Sequence, residues 1–316
     1  MGSTSNGTPI ASSRIHRCLA HAGRVLHPMG LNGEEDALLD EFLQWATAHG
    51  ALNLDQVKIS YLQKGGVLVR SLVAAKEVAC PILLPRQLLL AADSAEALAR
   101  KLALERSRLQ LGDETFWAPW LRILPDEAEL AEYHVAYAPE PVLHAFHALP
   151  VVARVQAWRQ QMRQSFAEAS EQPLAWEEFF WAATVVQTRV YVPPPSFCFM
   201  PVADMMNTGP QPNMEVFDSL EYDGADGHFY GLLGAVPQHA ELVQAYQPVD
   251  NSERLFRCGF LYSENPVRVA PLPEEVCREM LAAEVEGPKP LLASLRALTL
   301  EHLQEGLHCR EGPVAG

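Results

Sequence analysis

The chain has 316 residues, of which 48% are hydrophobic and 20% are charged, and it carries a formal net charge of −15. This composition is typical of a soluble globular protein with one or two domains. The negative charge argues against nucleic acid as the main partner, and no apolar run approaches the roughly 20 residues of a membrane-spanning helix. The six cysteines form no CxxC or CxC pair, which argues against a zinc cluster or a disulfide framework.

The N-terminal segment has a biased composition. The first 33 residues contain no Asp or Glu, but they include Arg14, Arg17 and Arg24. This is the composition of an organelle transit peptide, and a disordered N-terminus is the alternative. We expect that residues 1–30 can be removed without unfolding the remainder.

The first predicted elements are a helix and three strands. Residues 34–49 form an amphipathic helix with Phe42 and Trp45 on its apolar face. Short apolar runs broken by Gly and Pro then predict strands at 57–60, 66–69 and 78–83.

A helical period begins after Asp93 and continues to about residue 180. Asp93 is the expected cap of a helix over 94–108, and 115–124 predicts a short buried helix that Pro119 breaks. Apolar stripes predict two longer helices, at 150–170 and 176–186. We call residues 94–180 the helical insertion.

Strand character returns in the C-terminal half of the chain. The predicted strands lie at 197–202, 213–217, 228–233 and 242–246. After Pro271 two helices are predicted, at 273–285 and 289–304. The fold class is therefore α+β, with the predicted segments 31–93, 94–180, 181–268 and 269–316.

The densest set of motifs lies between Ala182 and Tyr262. A helix ends there in Thr188-Arg189, and a buried strand runs into the segment 201–207, which reads PVADMMN. A second apolar strand ends in Tyr246 and is followed by Asn251, Glu253 and Gly259-Phe260.

In this order the pieces resemble the C-terminal half of the SET domain in the Rubisco large-subunit lysine methyltransferase family. The resemblance covers about residues 35–265. It implies a SET β fold with a helical insertion and a short C-terminal helical segment. It also implies S-adenosylmethionine as cofactor, protein-lysine N-methyltransferase activity, and a protein substrate or protein complex as partner. The implied location is the chloroplast stroma, with the cytoplasm or nucleus as alternatives.

The resemblance assigns roles to single residues. Tyr246 is the implied catalytic tyrosine, which orients the attacking amine and precedes an Asn-x-Glu-Leu-like helix. The implied cofactor-binding residues are Gln63, Lys64, Gly65, Asn207 and Thr208. The implied substrate-binding residues are Arg189, Asp204 and Cys258.

Two positions depart from the pattern of the resembled family. Thr208 stands where that family has His, and Cys258 stands where it often has Tyr. Both departures favour an alternative function, a catalytically weakened binding or scaffold protein with a SET fold. A third interpretation is methylation of another acceptor, such as histidine. His144 and His147 lack an evident third ligand, so the pair indicates a surface helix rather than a metal site.

Overall fold

A computed structural model of the chain describes residues 33–64, 67–168, 174–192, 196–209, 211–220, 229–262 and 265–310. Short sheets pack against helices, which confirms the predicted α+β class. Within those ranges, no helix combines the length and the apolar character needed to cross a bilayer. The predicted transit segment at 1–30 and Gly65 of the predicted cofactor loop lie outside the described residues.

The strands form small, separate sheets. Those of the described residues are β1 Val57–Lys64, β2 Val67–Ala74, β3 Ile82–Pro85, β4 Leu90–Ala92, β5 Phe197–Phe199, β6 Asn207–Thr208, β7 Glu215–Leu220, β8 Phe229–Leu233 and β9 Val243–Gln244. β1 pairs with β2, and β4 pairs with β5, in antiparallel fashion. β3, β8 and β7 form an antiparallel sheet in that order. β6 and β9 pair in parallel, so that Asn207 lies opposite Val243.

The helices occupy the middle and the end of the chain. Those of the described residues are α1 Gly33–Ala48, α2 Ala95–Gln110, α3 Ala118–Leu121, α4 Glu127–Tyr133, α5 Glu140–Ala145, α6 Pro150–Glu168, α7 Trp176–Arg189, α8 Asn251–Cys258, α9 Glu274–Ala282 and α10 Lys289–Arg310. The described residues from α2 to α7 contain no strand, as expected of the helical insertion. The exact limits of the predicted segments remain predictions.

Several helix details differ from the sequence prediction. Ser94 caps α2 in place of Asp93, because the Ser94 hydroxyl accepts the N–H of Ala97. Pro119 does not break a helix. It lies in the first turn of α3, where its missing N–H would have no partner in any case. The sequence does not predict α4 and α5. These helices are seven and six residues long, which is too short for an apolar repeat to be recognised.

The strands near the predicted site are shorter than the sequence indicates. β5 ends at Phe199, and Ala203–Met205 forms a 3-10 turn after Val202, whose φ of 81° is unusual for a β-branched residue. β9 is two residues long, so Tyr246 lies beyond its end rather than at it. The prediction extends this strand too far because β6 offers β9 only two residues for pairing.

The buried apolar side chains form two clusters. The strand core lies between the sheets and α1, α2, α3 and α7, and it includes Phe42 and Phe199. The helical core joins α5, α6, α8, α9 and α10, and it includes Phe146, Leu255 and Leu298. Since α8 packs into the helical core and ends in Cys258, whereas Asn207 and Thr208 lie on β6, the predicted site lies where the two cores meet.

Candidate functional site

Tyr246 is held by the segment that carries β6. Its hydroxyl donates a hydrogen bond to the backbone oxygen of Met206 at 3.1 Å, and its N–H lies 3.4 Å from Oγ1 of Thr208. Burial raises the pKa of Tyr246 far above its usual value. The phenol is therefore neutral at physiological pH. It can orient a reacting group, but it does not supply a strong base.

Asn207, the first residue of β6, connects three parts of the chain. Its Nδ2 lies 3.1 Å from the oxygen of Arg70, 2.6 Å from Oγ of Ser71 and 3.1 Å from Oε1 of Glu241. Glu241 also forms an ion pair with Lys64, with 2.6 Å between Nζ and Oε1. An amide, a carboxylate and an ammonium group therefore meet at this point.

The predicted cofactor loop reaches this cluster only in part. Lys64 contacts Glu241, as described above. Gln63 is exposed and lies opposite Leu68 in the register of β1 and β2. Of the two loop residues that the structure describes, Lys64 thus reaches the cluster and Gln63 does not.

Arg189 and Asp204 meet at the 3-10 turn that precedes β6. Nη1 of Arg189 donates to the backbone oxygen of Asp204 at 2.7 Å. The Asp204 side chain is buried, and its Oδ2 accepts the indole N–H of Trp120 at 2.9 Å. Burial raises the pKa of the Asp204 carboxyl to about 6, although Arg189 and the Trp120 hydrogen bond lower it. Its Oδ1 is buried and finds no partner in the described part of the chain.

Thr208 stands beside an aromatic ring although the histidine of the resembled family is missing. Its hydroxyl shares a short hydrogen bond with the hydroxyl of Tyr262. Asn251 holds the backbone of Tyr262 in place. Its Nδ2 donates to the backbone oxygen of Tyr262 at 2.8 Å, and its Oδ1 accepts the backbone N–H of Tyr262 at 3.0 Å. Tyr262 belongs to no recognised motif of the sequence, because only the fold brings it to Thr208.

The chain is similar in fold to solved structures of LSMT and Rubisco LSMT. No protein-family model matches it, and no curated protein matches it in sequence. The SET domain of LSMT bound to lysine and AdoHcy aligns with a TM-score of 0.64 and 14% identity, over 87% of this chain and 91% of that one. The SET domain of LSMT bound to MeLysine and AdoHcy gives a TM-score of 0.58 at 17% identity. Rubisco LSMT bound to Sinefungin and Monomethyllysine gives 0.57 at 18% identity.

The chain has the fold of a SET domain. The last two alignments cover 72% of this chain but 57% of the other, so the chain spans little more than half of their length. Sequence identity this low shows the fold alone, and the assignment of single residues rests on their geometry in this chain. Within this SET fold, the β6–β9 pair brings Asn207, Thr208 and Tyr246 together, and the preceding turn adds Arg189 and Asp204.

Cys258 ends α8 and belongs to the same neighbourhood. It is half-buried, and burial raises the pKa of its thiol to about 11, whereas Arg254 and Arg257 lower it. Cys258 and Tyr246 are close enough for the thiol to raise the pKa of the phenol further. A thiol with such a high pKa stays protonated and unreactive at neutral pH, so Cys258 contributes shape rather than nucleophilic chemistry.

Arg254 is a second site residue that the sequence reasoning misses. It is 3% exposed, and its guanidinium lies 4.1 Å from the centre of the Tyr262 ring. Its Nη2 lies 3.3 Å from the oxygen of Gln247, while its Nε is buried without a partner among the described residues. The available signal is its position in α8, where the resembled pattern has Leu.

Two cavities of the described residues lie away from these side chains. One cavity of about 490 Å³ lies between α6 and α7 and is lined by Arg159 and Trp176 among others. Another of about 380 Å³ lies between α6 and the start of α8. Within the described ranges, no group of three or more His, Cys, Asp or Glu side chains is placed to hold a metal ion. The candidate site is therefore defined by converging side chains rather than by cavity size.

Proposed function

We propose that this chain is an S-adenosylmethionine-dependent protein-lysine N-methyltransferase of the Rubisco large-subunit methyltransferase type. The observation that carries the proposal is the meeting of Asn207, Thr208 and Tyr246 at the parallel β6–β9 pair. Support comes from the fold, because solved neighbours bind AdoHcy together with lysine or methyllysine.

The charged groups beside Asn207 suit the amino-acid end of S-adenosylmethionine, which carries one ammonium and one carboxylate group. Glu241 would receive the ammonium group and Lys64 the carboxylate. These two side chains are 20% and 35% exposed, so a solute can reach them. When bound, the cofactor supplies a methyl group attached to a positively charged sulfur.

The proposed role of Tyr246 follows from its hydrogen bond. The lysine ammonium would first lose one proton to water; its neutral nitrogen would then bond to the methyl carbon as the carbon–sulfur bond breaks, which leaves a neutral thioether and a methylated ammonium group. The hydrogen of the Tyr246 hydroxyl is used by Met206, so the oxygen lone pairs are left to accept a hydrogen from the amine. That contact would turn the nitrogen lone pair toward the methyl group and keep the reacting atoms in line.

The amine must also be neutral when it attacks. The free pKa of lysine is about 10.4, so at neutral pH the chain must favour deprotonation. Transfer from water into a partly buried channel does so, because desolvation disfavours the charged form. The neighbouring cations Arg189 and Arg254 act in the same direction, since like charges disfavour an ammonium group.

Calorimetric titration with S-adenosylhomocysteine tests the cofactor site without knowledge of the methyl acceptor. We expect the wild type to bind and Asn207→Ala to bind more weakly by about 1–3 kcal/mol, because a buried ligand group would lose its partner. Gln164→Ala, which removes an exposed amide on α6 that bonds only Glu168 among the described residues, is the control. Unchanged affinity in Asn207→Ala would place the ligand elsewhere.

A second function, a catalytically weakened SET-fold binding or scaffold protein in a larger complex, is favoured by one observation. The amide hydrogens of Asn207 are shared among protein acceptors, and the hydroxyl of Thr208 is engaged by Tyr262. A wild type that binds no S-adenosylhomocysteine and methylates no protein in a native extract would leave the scaffold as the function.

The chloroplast stroma is the proposed location, because the N-terminal segment is free of acidic residues and contains three arginines. Import of a reporter that carries residues 1–30 into plastids would support it. Retention of that reporter in the cytosol would contradict it.

A further inference from the structure

A tyrosine of the helical insertion lies beside the candidate site. Tyr133, the last residue of α4, packs on Gly259, which directly follows Cys258. A Cβ atom at residue 259 would lie only 2.6 Å from Cδ2 and 3.0 Å from Cε2 of Tyr133. Gly259 closes α8 at a φ of 77°, so both its conformation and the nearby ring require glycine there. The Tyr133 ring therefore contacts the backbone next to Cys258.

The hydroxyl of Tyr133 has no hydrogen-bond partner among the described residues, whereas Tyr191 and Tyr246 each donate to a backbone oxygen. Burial raises the pKa of Tyr133, and the charges of Arg189 and Cys258 are among those close enough to shift it. Tyr133 thus lies among the residues that were predicted to bind the acceptor.

An ion pair fixes α4 against β2, the strand whose backbone accepts the Asn207 amide. Nη1 and Nη2 of Arg70 donate to the two carboxylate oxygens of Glu129, at 2.9 and 3.2 Å. The backbone oxygen of Arg70 accepts the amide of Asn207. Glu129 also forms a capping box with Asp126 at the start of α4. Tyr133 follows Glu129 by one helical turn, so its position is tied to that of Asn207.

From this geometry we propose that Tyr133 lines the acceptor channel, where its ring and hydroxyl contact the lysyl side chain on the side where Cys258 provides no ring. The proposal rests on the methyltransferase function proposed above. A phenol suits this acceptor, because the ring packs against a four-carbon stem and the hydroxyl hydrogen-bonds an amine or a water. Cysteine at 258 leaves room for a ring that comes from α4 instead of α8.

The first test measures binding of free Nε-methyl-lysine by calorimetry in the presence of saturating S-adenosylhomocysteine. Tyr133→Phe should weaken binding of the amino acid about three- to tenfold through loss of one hydrogen bond, and Tyr133→Leu should weaken it more. The affinity for S-adenosylhomocysteine should stay within about twofold. Tyr137→Phe is a matched control, because it removes the hydroxyl of another half-buried tyrosine of the helical insertion, whose ring packs against Phe180 rather than beside Cys258.

The outcomes of this test separate the two proposals. If the wild type binds neither compound, the proposed function fails and the inference fails with it. If the wild type binds S-adenosylhomocysteine but not methyl-lysine, or if both Tyr133 variants bind methyl-lysine like the wild type, the inference alone is overturned.

A second test does not depend on catalysis or ligands. Alkylation with iodoacetamide at about pH 9, where a fraction of the Cys258 thiol is ionised, followed by peptide mass mapping, reports how far the Tyr133 ring covers Cys258. Tyr133→Leu should be alkylated several-fold faster at Cys258, while the buried Cys198 stays protected and shows that the variant is folded. Unchanged alkylation of Cys258 in a folded Tyr133→Leu variant would contradict the proposed position of the ring.

Discussion

The strand core and the helical core hold their site residues in different ways. On the strand side, Asn207 and Tyr246 are fixed by hydrogen bonds to backbone oxygens. On the helical side, Cys258 is positioned by the packing of α8, which buries Leu255 and Phe256. Substitutions of the site residues on the strand side should therefore mainly change binding and turnover, whereas substitutions of the buried residues of α8 should mainly change the free energy of unfolding.

The largest expected effect compares the two cores directly. Phe146→Ala in the helical core and Phe199→Ala in the strand core should each lower the free energy of unfolding by about 3–5 kcal/mol, because both rings are fully buried. Urea unfolding followed by circular dichroism and by tryptophan fluorescence should show one shared transition, since α8 connects the cores. A Phe146→Ala variant with two separate transitions would show that the helical core unfolds independently.

Removal of the Tyr246 hydroxyl should affect chemistry rather than folding. Tyr246→Phe keeps the ring, so it should fold normally, but kcat should fall about a hundredfold because the amine loses its alignment. The affinity for S-adenosylhomocysteine should change little. A variant that keeps its kcat would refute the catalytic role of Tyr246, and one that loses cofactor affinity instead would reassign it to cofactor binding.

The buried Asp204 carboxyl should make stability depend on pH. Its pKa is about 6 in the folded protein, against an ordinary value of 3.8, so the folded state binds the proton more tightly than the unfolded chain. Stability should therefore fall as the pH rises from about 4 through 6. Asp204→Asn should remove this pH dependence. Between pH 4 and pH 7, the free energy of unfolding of the variant should rise by about 1–3 kcal/mol relative to that of the wild type. If the free energy of unfolding depends on pH in the same way for the wild type and for Asp204→Asn, this account is contradicted.

The smallest expected effect concerns Arg254. Replacement of this buried cation by Met exchanges a stacking contact with Tyr262 for an apolar side chain of similar length. The folded protein loses the cation–π contact with Tyr262, but it no longer has to bury a charged group. These two effects oppose each other, so the free energy of unfolding should change by about 1 kcal/mol or less. Chemical denaturation measures this change. A loss of several kcal/mol would show that the strand and helical sides depend on this guanidinium for their contact.

The sequence predicts the parts of the fold that depend on local periodicity. The helices α2, α6 and α7 each show an apolar stripe over several turns, and their structural bounds lie within a few residues of the prediction. The strand lengths are predicted poorly, because pairing with a distant partner decides where β9 ends. Tyr246 consequently lies in a loop instead of at a strand end.

The same distinction applies to the candidate site. Asn207 and Thr208 are found because they belong to one contiguous motif. Glu241 meets Asn207 across 34 residues of sequence, and Arg70 meets it across 137. No spacing rule connects these positions. Tyr133 is likewise invisible in the sequence, because it ends a helix that is too short to show a period.

The hydrogen bonds from Asn207 to residues 70 and 71 also have a consequence for the order of folding. They close loops of 137 and 136 residues, and such closures cost chain entropy before any contact compensates for it. The helices between them depend on local contacts, so we expect them to form early, whereas we expect the Asn207 contacts to form late. A solute that binds across these segments would recognise the finished fold and none of its precursors, so during refolding its binding signal should be the last to return.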